Sequence, residues 1–189
     1  PFIAYGDLDA AVETARYNVD RLAPLAREGY IIVSPEPTAA YALRKSYPKL
    51  LDNNEDALAV AKQTRELFSF LLEIENAVPG ELNGRRFGFH CSCHQRPLGG
   101  GTETMEWLRR RGAQVEFIET GTCCGMGGTF GLKTGPLGRE LSDAVGEPLF
   151  EAFLASGVDT IVTESSVCKI QLEAGTGLRV VHPLELLMA

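Results

Sequence analysis

The sequence is short of positive charge: 18 Lys and Arg stand against 25 Asp and Glu, a formal net charge of −7 over 189 residues. With a pI near 5.0 and no basic stripe beyond Arg109, Arg110 and Arg111, which read as the solvated end of a helix, it offers no nucleic-acid footprint. Long apolar runs are also missing. No stretch nears the ~18 residues expected of a membrane span, and the N-terminal segment has neither the basic nor the apolar region of a secretory signal. The chain therefore reads as cytoplasmic. No phosphate-binding loop is present either: Lys133 is not directly preceded by glycine, and no strand leads into a GxGxxG turn. No Ser–His–Asp arrangement or carboxylate pair stands out, and the histidines are three: His90, His94 and His182.

What remains is an ordinary globular composition, 44% hydrophobic and 23% charged, long enough for one core or two small ones. Apolar periodicity predicts a helix over Leu8–Ala26, a buried strand over Tyr30–Val33, a short helix after Thr38, and a longer one from Glu55 to Ile74. Pro79-Gly80 marks a break. The second half alternates again. Strands are predicted over Phe87–His90, Val115–Ile118, Thr160–Thr163 and Leu178–Val181, with helices over Glu103–Arg111, Gly138–Ala155 and Lys169–Glu173 between them. Such alternation predicts an α/β fold with largely parallel sheets.

Two stretches look like copies. Tyr30–Ser34, followed by Ala39, Ala40 and Leu43, aligns without a gap on Thr160–Thr163, followed by Cys168, Lys169 and Leu172. The division expected is 1–78 for a degenerate first α/β repeat and 79–189 for a second. In the first, Ala39 stands where Cys168 stands in the second.

Five cysteines, Cys91, Cys93, Cys123, Cys124 and Cys168, all fall in the second half. An odd number clustered this way resembles a ligand set more than a secreted disulfide framework. Each follows the carboxyl end of a predicted strand, where loops in a parallel sheet enter helices with free N–H groups and where ligands gather. Buried structural cysteine explains any one of them; three strand ends delivering thiols to one edge point to a soft metal or an iron–sulfur cluster. Gly125, Gly127, Gly128 and Gly131 allow positive φ and a close backbone approach to a bulky inorganic group. Neighbouring thiols suit a multi-iron cluster better than a single ion. His94 reads as a sulfur hydrogen-bond donor, a ligand or a loop cap.

The runs His90-Cys91-Ser92-Cys93-His94, Cys123-Cys124-Gly125-Met126-Gly127-Gly128, Thr163–Glu173 with its Cys168-Lys169-Ile170-Gln171-Leu172-Glu173, and His182-Pro183-Leu184-Glu185 resemble the cysteine-rich CCG domain family. That family includes one of the heterodisulfide reductase subunits, the iron–sulfur subunits of glycolate oxidase and of anaerobic glycerol-3-phosphate dehydrogenase, and the tails of FAD-linked oxidases. The resemblance implies a cluster of 4Fe–4S type, in some members non-cubane, held by one cysteine, a CC pair and a CxxC in each of two copies. Carried over, it assigns Cys93, Cys123, Cys124 and Cys168 as metal ligands. His94 and Gly125 then lie beside the cofactor, and Ser165 stands where the first cysteine of CxxC belongs. Four thiols still suffice for an ordinary cubane. Cys91 is a substitute ligand only if its side chain turns the same way as that of Cys93, which an extended segment would not allow.

The same resemblance implies an oxidoreductase function: an electron-transfer domain serving a flavin-dependent dehydrogenase or oxidase of a small hydroxy acid or glycerol 3-phosphate. FAD would lie on a missing part or a partner subunit, with a ferredoxin-like module upstream and a quinone or other carrier as acceptor. Nucleic acid is not expected as a partner, and a membrane only through partners at its inner face. The chain reads as a C-terminal fragment. Two alternatives remain open: a structural zinc domain and a thiol redox module built on the vicinal pair.

Overall fold

A computed structural model of the chain describes residues 2–74 and 81–188. It divides into two compact units, Pro1–Phe70 and Leu71–Ala189. The boundary expected at 78/79 and the break at Pro79-Gly80 lie outside the described residues.

The first unit opens with a single turn, α1 (Phe2–Tyr5), and a long helix, α2 (Leu8–Arg27). Asp7 caps α2 by accepting from the Ala10 N–H at 3.1 Å, and Ala11, Ala15, Val19, Ala23 and Ala26 form its buried stripe. The helix ends at Gly29, whose φ is +91°, and the Tyr30 N–H returns to the Leu25 carbonyl at 3.1 Å, a C-terminal capping bond. Tyr30 and Ile31 are thereby exposed rather than in a buried strand, and β1 runs over Ile32–Ser34. A helical stretch follows: α3 (Pro37–Tyr41), a π-helical turn over Ala42–Ser46, and α4 (Tyr47–Leu50).

The single helix expected over 55–74 is broken. The structure has α5 (Glu55–Gln63), a strand β2 (Thr64–Glu66) and α6 (Leu67–Glu73). Thr64 is extended at φ −79°, ψ 131°, and its hydroxyl donates to the Val60 carbonyl at 2.8 Å. Three residues of strand here give β1 a parallel partner, Ile32 beside Thr64 and Ser34 beside Glu66. Without it the backbone groups of β1 would lack their ladder. Helical periodicity does not reveal so short an interruption. Ala15, Val19, Leu51, Ala57 and Val60 form the core of this unit.

The second unit carries a four-stranded parallel sheet: β3 (Arg86–Phe89), β4 (Gln114–Phe117), β5 (Thr160–Val162) and β6 (Arg179–Val181), in the order β4-β3-β5-β6. The helices are α7 (Thr102–Arg110), α8 (Leu141–Ser156) and α9 (Ser166–Thr176). Right-handed crossovers put α7 on one face and α8 with α9 on the other. Gly88 lies on the α8 face, where a Cβ would meet the Phe153 ring at 2.9 Å. Trp107 and Leu108 bury the inner side of α7 completely. Arg111, expected to be solvated, is buried: its guanidinium lies 3.9 Å above the Trp107 ring and donates to the Trp107 carbonyl. The strand order reverses between β3 and β5, and a crevice opens beyond the carboxyl ends of these strands, the usual ligand position in such sheets.

Candidate metal centre

Three loops meet at that crevice. The loop after β3 brings His90, Cys91 and Cys93; the loop after β4 brings Cys123 and Cys124; and the start of α9, after β5, brings Cys168. Together with Arg96, Gly121 and Thr122 they line a cavity of about 210 Å³, several times the ~30 Å³ share of one water. Its walls are held by polar ties. Arg96 bonds the Thr122 carbonyl at 3.3 Å and pairs with Glu119 at 3.1 Å, fastening the β3 loop to the β4 loop. Glu164, buried after β5, accepts from Gln95 and Thr104. Two donors offset the cost of burying its polar oxygens and fasten the β5 loop to the β3 loop and the first turn of α7.

The CC turn is shaped by α8. Gly125 has φ +89°, and a Cβ there would stand 1.9 Å from the Ser142 carbonyl oxygen. The Ser142 hydroxyl donates back to the Gly125 carbonyl at 3.0 Å. Gly146 is needed opposite, since its Cβ would lie 2.6 Å from the Cys124 carbonyl. The glycine of the CCG run thus lets the turn lie flat on α8, while its N–H points to the Cys123 sulfur at 3.4 Å.

All five cysteines are free thiols, and four form a line of contacts. Cys93 is bonded to Cys123, and Cys124 lies between Cys123 and Cys168 with a single S–H to share between them; the Cys124 and Cys168 sulfurs are 3.3 Å apart. The protons are shared unevenly along this line. Cys123 is lowered to about 2, chiefly by the bond from Cys124 and then by that from Cys93, against burial. Cys168 is lowered to about 5, first by Cys124, then by His90 and the Ser165 hydroxyl, again against burial. Their donors move the opposite way: Cys93 is raised by its bond to Cys123 and by burial, and Cys124 by its bonds to Cys123 and Cys168 and by burial. Backbone N–H groups of His94 and Met126 reach the Cys93 and Cys124 sulfurs. Thiolates alternate with thiols, a donor set suited to a soft metal or a sulfur-ligated cluster.

Cys93, Cys123, Cys124 and Cys168 are therefore brought together. Ser165 is adjacent and buried. It is the N-cap residue of α9 but makes no capping bond with its side chain, and its hydroxyl serves the Cys168 sulfur instead. His94 contributes its backbone, and its side chain is not among the residues lining the cavity. Cys91 does line the cavity, since residues 91–93 are no longer strand; its sulfur lies 3.7 Å from the Ser92 carbonyl oxygen. The residue that sequence reasoning missed is His90. It is 2% exposed, and its imidazole and the Cys124 and Cys168 sulfurs all lie within 4.8 Å of one another. The one sequence signal for it was its position at the end of a strand, immediately before the first two cysteines.

Residues 87–173 match the family described as CCG, cysteine-rich domain. Over 99% of this chain, a subunit of the anaerobic glycerol-3-phosphate dehydrogenase of Escherichia coli is 32% identical, with 47% of its length covered. The glycolate oxidase iron-sulfur subunit of E. coli is 27% identical over 91% of the chain and 43% of its own length. The E. coli protein YkgE is 32% identical over 84% of the chain and 70% of its own length. The chain spans about half the length of the first two relatives. The family match takes in the three strand-end loops and all four sulfurs of the thiol line: the chain belongs to the cysteine-rich CCG domain family.

Proposed function

We propose that the chain is the electron-transfer domain of an oxidoreductase and holds an iron–sulfur cluster of 4Fe–4S type in the crevice beyond β3 and β5. Cys93, Cys123, Cys124 and Cys168 supply the metal-binding sulfurs. The Ser165 hydroxyl and the Gly125 and His94 N–H groups supply hydrogen bonds to those sulfurs, which, together with burial, set the potential of such a centre. A cluster of this kind carries one electron at a time and needs no acid–base pair beside it. The observation that carries the reading is the meeting of four cysteines from three strand-end loops at one crevice, with the Cys124 and Cys168 sulfurs 3.3 Å apart.

Relatives named as part of an anaerobic glycerol-3-phosphate dehydrogenase and as the iron-sulfur subunit of a glycolate oxidase support a place beside a flavoprotein that oxidises glycerol 3-phosphate or a small hydroxy acid. Electrons would pass from its flavin towards a quinone or another carrier. No helix among the described residues is long and apolar enough to cross a membrane, consistent with a cytoplasmic domain that meets the membrane through partners.

The first unit is, in this reading, a copy that has lost its ligands. α3 begins at Pro37, two residues before Ala39, as α9 begins at Ser166, two residues before Cys168. Division into repeats at 1–78 and 79–189 follows from it.

The test is anaerobic reconstitution of the full chain with iron and sulfide. We expect near four irons and four sulfides per chain, by the stoichiometry of that cluster type, a brown chromophore, and loss of most of both in Cys124→Ser. Wild-type protein that takes up neither iron nor sulfide refutes the reading. The tight grouping of His90, Cys124 and Cys168 favours a single zinc as the second reading, for which the same preparation would be colourless and hold one zinc.

A further inference from the structure

The thiol line ends at a histidine. Its exposed end is Cys93 and its buried end is Cys168, and beyond Cys168 the next groups are Ser165 and His90. The backbone of His90 is fixed by the sheet, its N–H donating to the Val162 carbonyl at 2.9 Å. Because side chains alternate along a strand, His90 shares a face with Gly88, on the α8 side. There its ring meets Phe153 edge-on at a centroid distance of 6.4 Å. The imidazole is held between that ring and the sulfurs.

Its Nε2 is buried and makes no hydrogen bond of normal length among the described residues. A buried polar atom left this way costs stability, and a metal-ligand bond removes the cost. Imidazole is a good ligand for iron beside thiolate. Ser165 competes poorly for the role, because it does not line the cavity and His90 does. The side chain of His94 does not line the cavity.

We propose that His90 is a protein ligand of the centre, giving an imidazole nitrogen to it from beside Cys124 and Cys168. The inference rests on the cluster reading above. It makes the site a four-thiolate, one-nitrogen centre. A neutral imidazole as the fifth ligand, where another site would have a thiolate, leaves less negative charge on iron and a higher potential, as in clusters with mixed histidine and cysteine ligation.

The test uses the full chain, reconstituted anaerobically with iron and sulfide, with histidine at natural abundance or ¹⁵N-labelled. Pulsed EPR of the paramagnetic redox state is expected to show a strongly coupled nitrogen that changes with the label. The coupling should survive in His94→Ala and His182→Ala and vanish in His90→Ala. His90→Cys keeps a ligand at the position in case the alanine variant does not fold. It should retain iron and sulfide, lose the nitrogen coupling and show a lower midpoint potential. Iron and sulfide present with no strongly coupled nitrogen, or a coupling lost in His94→Ala instead, overturns the inference alone. Absence of iron and sulfide from wild-type protein overturns the cluster reading and this inference with it.

Discussion

Gly125 carries two constraints at once. At φ +89° an L side chain is strained, at a cost of about 1–2 kcal/mol, and a Cβ would in addition run into the Ser142 carbonyl at 1.9 Å. A backbone oxygen in a helix cannot step aside, so α8 or the CC turn must move. We expect Gly125→Ala to lose about 3–5 kcal/mol of stability, measured by urea unfolding of the metal-free reduced protein. Gly128→Ala is the control: its φ is +70° with nothing within 4 Å of the added Cβ, so it should lose about 1–2 kcal/mol. Equal losses would mean that the contact with α8 is unimportant. The glycine was legible in the sequence and its reason was not. Positive φ follows from residue type, but which neighbour presses on the turn depends on how α8 packs, and the turn rests on Ser142 as well as facing the cavity. His90 was hidden for a similar reason: a histidine at a strand end reads as packing until the register of β3 against β5 fixes the face it points to.

Among the elements, α9 is tied twice near its N-terminal end. Cys168 sits in its first turn, where free N–H groups favour a thiolate. Lys169 reaches Glu185 at 3.0 Å, and the Glu185 carboxylate also accepts the His182 N–H at 2.8 Å. Glu185 is held below the usual carboxylate range, first by that N–H and then by Lys169, against slight burial. A lowered carboxylate stabilises the fold above its unfolded value near 4.3 and loses that contribution as pH falls through its folded value. Since the carboxylate is 42% exposed, solvent screens it and the gain is small. Glu185→Gln should lower stability by ~0.5 kcal/mol at pH 7, and the difference in Tm from wild type should close below about pH 4. A gap that persists at pH 3 would assign the effect to packing. This tie accounts for two distant sequence motifs, the lysine after Cys168 and the His-Pro-Leu-Glu run. The strands of the second unit were legible because each is a short apolar run between turn residues. β2 was not, because Thr64, Arg65 and Glu66 carry no strand pattern of their own and become a strand only by lying beside β1.

For the molecule as a whole, the thiol line couples folding to pH in two opposed ways. Cys123 and Cys168 are lowered, so their contribution is fully present above the unfolded thiol value near 8.5 and is lost as pH falls, for Cys168 through about 5. Cys93 and Cys124 are raised, so what they contribute is present below 8.5 and lost as pH climbs. The metal-free reduced protein should therefore gain stability from pH 5.5 to about 8 and lose it again above about pH 9. Two units need not unfold together, so a probe confined to the second is required. Trp107 is the sole tryptophan of the sequence, lies on α7 and is fully buried, and its fluorescence reports that unit. Urea titrations followed by this signal should trace the rise and fall in wild type. In Cys168→Ser the acidic limb should flatten, because one of the two thiolates is gone. A wild-type profile that declines steadily from pH 5.5 would sink the alternating thiol–thiolate arrangement, and with it the account of how the crevice is charged before metal enters.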